Sequence, residues 1–116
     1  MMRHAAPLLL LLAAMAPLSA IALARAPAQA ERGRAAYAAK CAACHGSDFE
    51  GGAEDAPALT GTRFAAKWRG RGPALYAKIK LSMPQDDPGI LTPAQATDIT
   101  ALILAANRMP VPDRMP

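Results

Sequence analysis

The two cysteines of this chain lie three positions apart, and a histidine follows the second, in the run Cys41-Ala42-Ala43-Cys44-His45. C-x-x-C-H is the pattern through which a haem is covalently attached. Two thiols at this spacing can each bond one vinyl group of the same porphyrin, and the adjacent imidazole is then tethered beneath the iron. Three other uses of these residues compete. A redox-active dithiol calls for a preceding strand and a βαβ context, whereas residues 31–40 are rich in alanine and arginine and read as helix. Zinc needs four ligands, and beyond these three the other histidine is His4, in a segment expected to be removed. A plain disulfide leaves His45 without a role.

Residues 1–30 read as an export signal. Arg3 supplies positive charge, residues 5–24 carry none, and Ala22-Leu23-Ala24 and Ala28-Gln29-Ala30 both fit the small-x-small cleavage rule. Cleavage after Ala30 is preferred and cleavage after Ala24 is the alternative. Either puts residues 31–116 in the periplasm. Retention as an anchor is a third outcome, since residues 5–24 have roughly the length of a bilayer span, about 20 residues, although Pro7, Pro17 and the alanines weaken it. Membrane contact is expected only in that case.

Residues 31–116 make one small domain, and a chain of that size buries too little surface to be comfortably stable alone. Five aromatics are present, Tyr37, Phe49, Phe64, Trp68 and Tyr76, and much of the apolar fraction is alanine. A covalent porphyrin would supply the missing core. Eleven basic residues face nine acidic ones in this part of the chain, and no basic run exceeds Arg69-Gly70-Arg71, which reads as a solvated face. Nucleic acid is therefore not an expected partner.

A first helix is expected over residues 31–42, with Gly33 and Tyr37 on one face where another helix crosses closely. Residues 46–61 hold four glycines, Pro57 and several acids and read as a loop. A loop this long needs a task, and wrapping a haem edge is one. Pro57 and Leu59 are candidates to lie against the porphyrin, and the Pro57 carbonyl could accept the Nδ1 proton of His45. An amphipathic piece over 64–68 follows. Pro73 then suits the first position of a helix whose apolar face is Leu75, Tyr76 and Ile79.

That helix must stop before Pro84, which keeps Met83 extended. A methionine in an extended loop just past a helix can aim its thioether at a metal, and Met83 is the expected second axial ligand. Met109 and Met115 are also followed by proline, but each comes after the last helix. That last helix begins with Thr92 as N-cap, Pro93 at its first position and Gln95 completing a capping box. Ala96, Ile99, Ile103 and Ala106 are expected to form its apolar stripe, joined by Leu102, and Asn107 to end it.

Taken together, a helix, C-x-x-C-H, a Pro-x-Leu-x-Gly loop, a helix, Met-Pro and a capped terminal helix resemble a class I c-type cytochrome over residues 31–110. The chain is similar in particular to the cytochrome domains serving periplasmic quinoprotein (PQQ) dehydrogenases. The similar runs are Phe64-Ala65-Ala66-Lys67-Trp68-Arg69-Gly70, Leu75-Tyr76-Ala77-Lys78-Ile79, Ser82-Met83-Pro84-Gln85-Asp86-Asp87-Pro88-Gly89 and Ile103-Leu104-Ala105-Ala106-Asn107. The resemblance implies an all-α fold of four to five short helices around one covalent haem c. It also implies His45 and Met83 as iron ligands, and single-electron transfer.

With both axial positions filled, the iron has no open site for substrate, and a soft thioether favours the reduced metal. The expected function is thus electron carriage rather than catalysis, between redox proteins such as a periplasmic dehydrogenase and a terminal acceptor. A haem subunit permanently docked to a dehydrogenase or membrane complex is the second reading. A ligand-binding sensor or peroxidase-like enzyme is a third, and it requires Met83 to be off the iron.

Overall fold

The computed structural model describes residues 10–15 and 17–116. The charged start at Arg3 and the first part of the uncharged run from residue 5 lie outside them. Among the described residues the secondary structure is helical throughout: α1 (Leu18–Lys40), α2 (Ala42–His45), a 3-10 turn (Ala53–Asp55), α3 (Thr62–Trp68), α4 (Gly72–Ser82) and α5 (Pro93–Ala106). This is the small class I cytochrome c architecture.

The first helix differs from expectation at both ends. It starts at Leu18, so the expected cleavage points after Ala24 and Ala30 both fall inside it. Alanine-rich sequence has the highest intrinsic helix propensity, and no glycine interrupts it before Gly33. It ends at Lys40 because Cys41 turns away from helical geometry (φ −125°, ψ −37°), its N–H still bonded to the Tyr37 carbonyl. The attachment motif therefore sits at the joint between α1 and α2.

The main interface is α1 against α5. A Cβ added to Gly33 would lie 2.5 Å from the Asp98 carbonyl oxygen and 3.1 Å from Leu102 Cβ, so the two backbones meet at this point. Arg32 closes the outer edge of the crossing, its Nε donating to Asp98 at 3.0 Å. Tyr37, one turn further along α1, is buried in the same core.

α5 starts as its sequence predicts. Thr92 Oγ1 accepts from the Gln95 N–H at 3.1 Å and Gln95 Oε1 from the Thr92 N–H at 3.0 Å, with Pro93 in the first turn. Its buried surface is wider than a single stripe. Residues 98–104 are all buried, whereas Ala106 is exposed. The cause is that α5 has neighbours on more than one side: α1 crosses at Asp98 and Leu102, and α4 also packs on it. The chain beyond the helix turns back as well, with the Met109 N–H bonded to the Leu104 carbonyl at 2.9 Å and Pro112 against Gly72. Ala106 lies a turn past the crossing.

α4 starts with Pro73 in its first turn and buries Leu75, Tyr76 and Ile79. It ends at Met83, extended at φ −117° and ψ 151°, as a residue before proline must be.

Candidate haem site

The helices enclose a cavity of about 840 Å³, within the range of small-molecule and cofactor sites. One wall carries Cys41, Cys44 and His45, at the joint of α1 and α2. Phe64 of α3, Leu75 and Ile79 of α4, and Ile99 and Ile103 of α5 supply apolar lining. Every residue that the sequence singled out for this site, Cys41, Cys44, His45, Pro57, Leu59 and Met83, lines it.

His45 is 9% exposed, and its Nδ1 lies 2.8 Å from the Pro57 carbonyl oxygen. A carbonyl can only accept, so Nδ1 carries the proton and Nε2 keeps the lone pair a metal needs. The same bond fixes the ring and makes the imidazole a stronger donor. The loop that brings Pro57 there is tied on both sides. The Gly51 N–H donates to the His45 carbonyl at 2.7 Å, and the Leu59 N–H to the Phe49 carbonyl at 2.9 Å. At Gly51 (φ +73°) a Cβ would meet the Ala58 nitrogen at 2.6 Å, so glycine is required there.

Two contacts from outside the loop complete the arrangement, and sequence reasoning missed both. The Tyr37 hydroxyl donates to the Gly46 carbonyl at 2.7 Å, next to His45, and the Tyr37 ring packs against Phe49 at a tilt of 54° with centroids 4.6 Å apart. Burial, and then the nearby Cys41 and Glu50, keep the Tyr37 phenol protonated well above its ordinary range. Asn107, at the end of α5, donates its side-chain amide to Leu59 and to Ile103, each at 2.8 Å.

Cys41 and Cys44 are free thiols, both half-buried. Burial, and then the neighbouring Cys44, push the Cys41 thiol up to about 11. At neutral pH it is therefore a thiol rather than a thiolate, which slows disulfide exchange. Among the described residues no group of three or more His, Cys, Asp or Glu is arranged to hold a metal ion.

Met83 is half-buried at the cavity, while Met109 and Met115 are not on its wall. Met109 is 4% exposed in the core beneath α5, and Met115 packs against that core. Four cationic residues, Lys40, Arg63, Lys67 and Lys78, also line the cavity with Trp68, and none was anticipated. For those on α3 the signal in the sequence was the four-residue spacing of Arg63 with Lys67 and of Phe64 with Trp68, which places each pair on one helix face.

Two thiols on one wall, an imidazole with a free lone pair, a thioether and an apolar interior form a donor set that fits a covalently attached haem. The model of one protein family, described as cytochrome C oxidase, cbb3-type, subunit III, matches residues 28–103. The chain belongs to this family of c-type cytochrome domains. A domain of this kind carries haem c covalently, usually one, and the cytochrome is haem-containing on that ground. No curated protein and no solved structure matches the chain significantly.

Proposed function

We propose that the cytochrome is an exported single-haem electron carrier in which Cys41 and Cys44 hold the haem and His45 and Met83 ligate its iron. The observation that carries the reading is the convergence of these four side chains on one cavity, while Met109 and Met115 are committed to the core. The haem, when bound, supplies a one-electron iron couple. The protein's own residues do the rest. Pro57 holds the His45 proton at Nδ1, and Phe64, Leu75, Ile79, Ile99 and Ile103 exclude water. Met83, sited by the end of α4, offers a soft sulfur that favours the reduced state. His45 and Met83 would together hold the iron, so that the cytochrome would pass electrons rather than turn over a substrate. Domains of this family usually act outside the cytoplasm. Among the described residues no helix is long and apolar enough to cross a membrane.

The reading extends to cleavage after Ala30, or alternatively after Ala24, and to delivery of electrons between a periplasmic dehydrogenase and a terminal acceptor. Similarity to the cytochrome domains of PQQ dehydrogenases over residues 64–107 supports such a donor. A haem subunit held permanently in a dehydrogenase or membrane complex is the alternative, and purification of the native protein alone or in a complex separates the two. The ligation is tested by the ferric spectrum. A weak far-red sulfur-to-iron charge-transfer band is expected, whereas a high-spin spectrum and ready carbon monoxide binding would overturn it.

A further inference from the structure

The sequence between Ala56 and Gln85 contains no acidic residue and six basic ones, Arg63, Lys67, Arg69, Arg71, Lys78 and Lys80. All lie on α3, on α4 or in the turn between them. None of the six is in an ion pair; among the described residues Arg32–Asp98 is the one salt bridge. Five are exposed and Lys80 is half-buried. What reads in sequence as an ordinary solvated stretch thus carries a basic cluster at the haem cavity, with Arg63, Lys67 and Lys78 on its lining and Arg71 beside Trp68, whereas Lys80, two positions from Lys78, faces another side of α4. Trp68 lies at the cluster's centre. The indole lines the cavity and also carries Lys67 Nζ at 5.1 Å and Arg71 Cζ at 5.6 Å from its ring centroid. The cavity lining also holds Lys40 and four acids, Glu54 and Asp55 from the 3-10 turn and Asp86 and Asp87 from the segment after α4.

We propose that the α3–α4 surface around Trp68 is the docking face for an acidic redox protein, which exchanges electrons with the haem at the Trp68 side of the cavity. The inference rests on the electron-transfer reading above. Charge complementarity identifies the partner: a face rich in Asp and Glu is drawn to the cations grouped around Trp68 and turned away from the acids at the 3-10 turn and after α4. Arg63, Lys67 and Lys78 line the cavity and can also balance charge inside it. Arg69 and Arg71 do not line it, so they report on docking alone. An anionic membrane would also attract the cations, but a lipid accepts no electron, and Trp68 places the middle of the patch at the redox centre.

The test uses the ferrous holoprotein and two one-electron oxidants of opposite charge in stopped flow. Hexacyanoferrate(III) takes one electron and becomes hexacyanoferrate(II), leaving the ferric holoprotein; tris-phenanthroline cobalt(III) is the cationic counterpart. The hexacyanoferrate rate should fall with added salt. Arg69→Glu with Arg71→Glu should lower it about three- to tenfold at low ionic strength and raise the cobalt rate. Arg34→Glu with Ala35→Glu and Ala38→Glu makes the same change in net charge on α1, whose exposed face does not pack on α3 or α4, and should alter either rate by less than about twofold. Equal effects of the two sets, or rates indifferent to both, would overturn the docking face while leaving electron transfer intact. So would a patch whose charge reversal abolishes binding to phosphatidylglycerol vesicles yet leaves both oxidant rates unchanged. A ferrous holoprotein that hexacyanoferrate(III) fails to oxidise would overturn the electron-transfer reading and the docking face together.

Discussion

Asn107 donates its side-chain amide to the carbonyl of Leu59 at 2.8 Å, a bond that spans 48 positions of the chain. It is the tie between the terminal helix and the loop that carries Pro57. Asn107→Ala would leave the Leu59 carbonyl without this partner, and an unmade bond of this kind costs about 1–2 kcal/mol. The holoprotein should keep its fold, melt several degrees lower and show altered His45 ring resonances in paramagnetic NMR. Unchanged ring resonances would mean that Asn107 stabilises the loop without orienting the ligand.

The choice of iron ligand can be tested by three nearly isosteric changes. Met83→Leu should abolish the far-red charge-transfer band, lower the potential and admit exogenous ligands. Met109→Leu and Met115→Leu replace packing groups and should keep the spectrum, with a modest cost in stability at Met109 alone. Loss of the band in Met109→Leu and its survival in Met83→Leu would reverse the assignment.

Changing both Cys41 and Cys44 to alanine should leave no haem resistant to acid-acetone extraction, and the exported chain should lose most of its helical circular dichroism. The cavity of about 840 Å³ is the physical reason, since without its occupant the apolar walls face water and the small core does not close. A cooperatively melting, haem-free double variant would contradict this.

Gly33 is tested by a single methyl group. With the Asp98 carbonyl 2.5 Å from the added carbon, Gly33→Ala must push α1 and α5 apart. Overpacking of this kind costs roughly 1–3 kcal/mol, more than alanine's better helix propensity of up to about 1 kcal/mol returns. The midpoint of denaturant unfolding should fall. A rise would show that the helices slide apart freely.

Burial raises the Tyr37 phenol above its ordinary value of 10.0, so the folded state holds this proton more tightly than the unfolded chain does. The associated stability is complete below pH 10 and is lost as pH rises toward the folded value. Tyr37→Phe keeps the ring against Phe49 but removes the bond to Gly46. It should cost about 1 kcal/mol at neutral pH and flatten the decline in stability above pH 10. An identical alkaline decline in the variant would assign the loss to other groups.

Local signals in the sequence anticipated most of the fold and the site. The capping box at Thr92, prolines at the start of α4 and just after its end, and C-x-x-C-H each act through neighbours within a few positions. Their consequences are fixed before any tertiary contact forms. Long-range contacts were not legible. Nothing near Asn107 announces that its amide will find Leu59, and the Tyr37 hydroxyl reads only as part of an aromatic. The width of the buried arc on α5 depended on α4 and on the returning tail, so Ala106, in phase with the stripe, still ended in solvent. The basic surface was hidden by averaging, because acids elsewhere in the chain nearly cancel it in the net charge.

The loop over residues 46–61 is held by bonds that arrive at main-chain carbonyls. His45 reaches Pro57, Asn107 reaches Leu59 and Tyr37 reaches Gly46. A carbonyl is present whatever side chain stands beside it, so the shape of the loop is largely independent of its own composition. The glycines at positive φ, Gly46, Gly51, Gly52 and Gly61, are exceptions, and at Gly51 a side chain would also collide with the main chain of residues 56–58. Exposed positions such as Ser47 and Ala53 can therefore drift or be randomised with little effect on the imidazole. The same haem pocket can acquire a new outer surface, and with it a new partner, by substitutions confined to one lip.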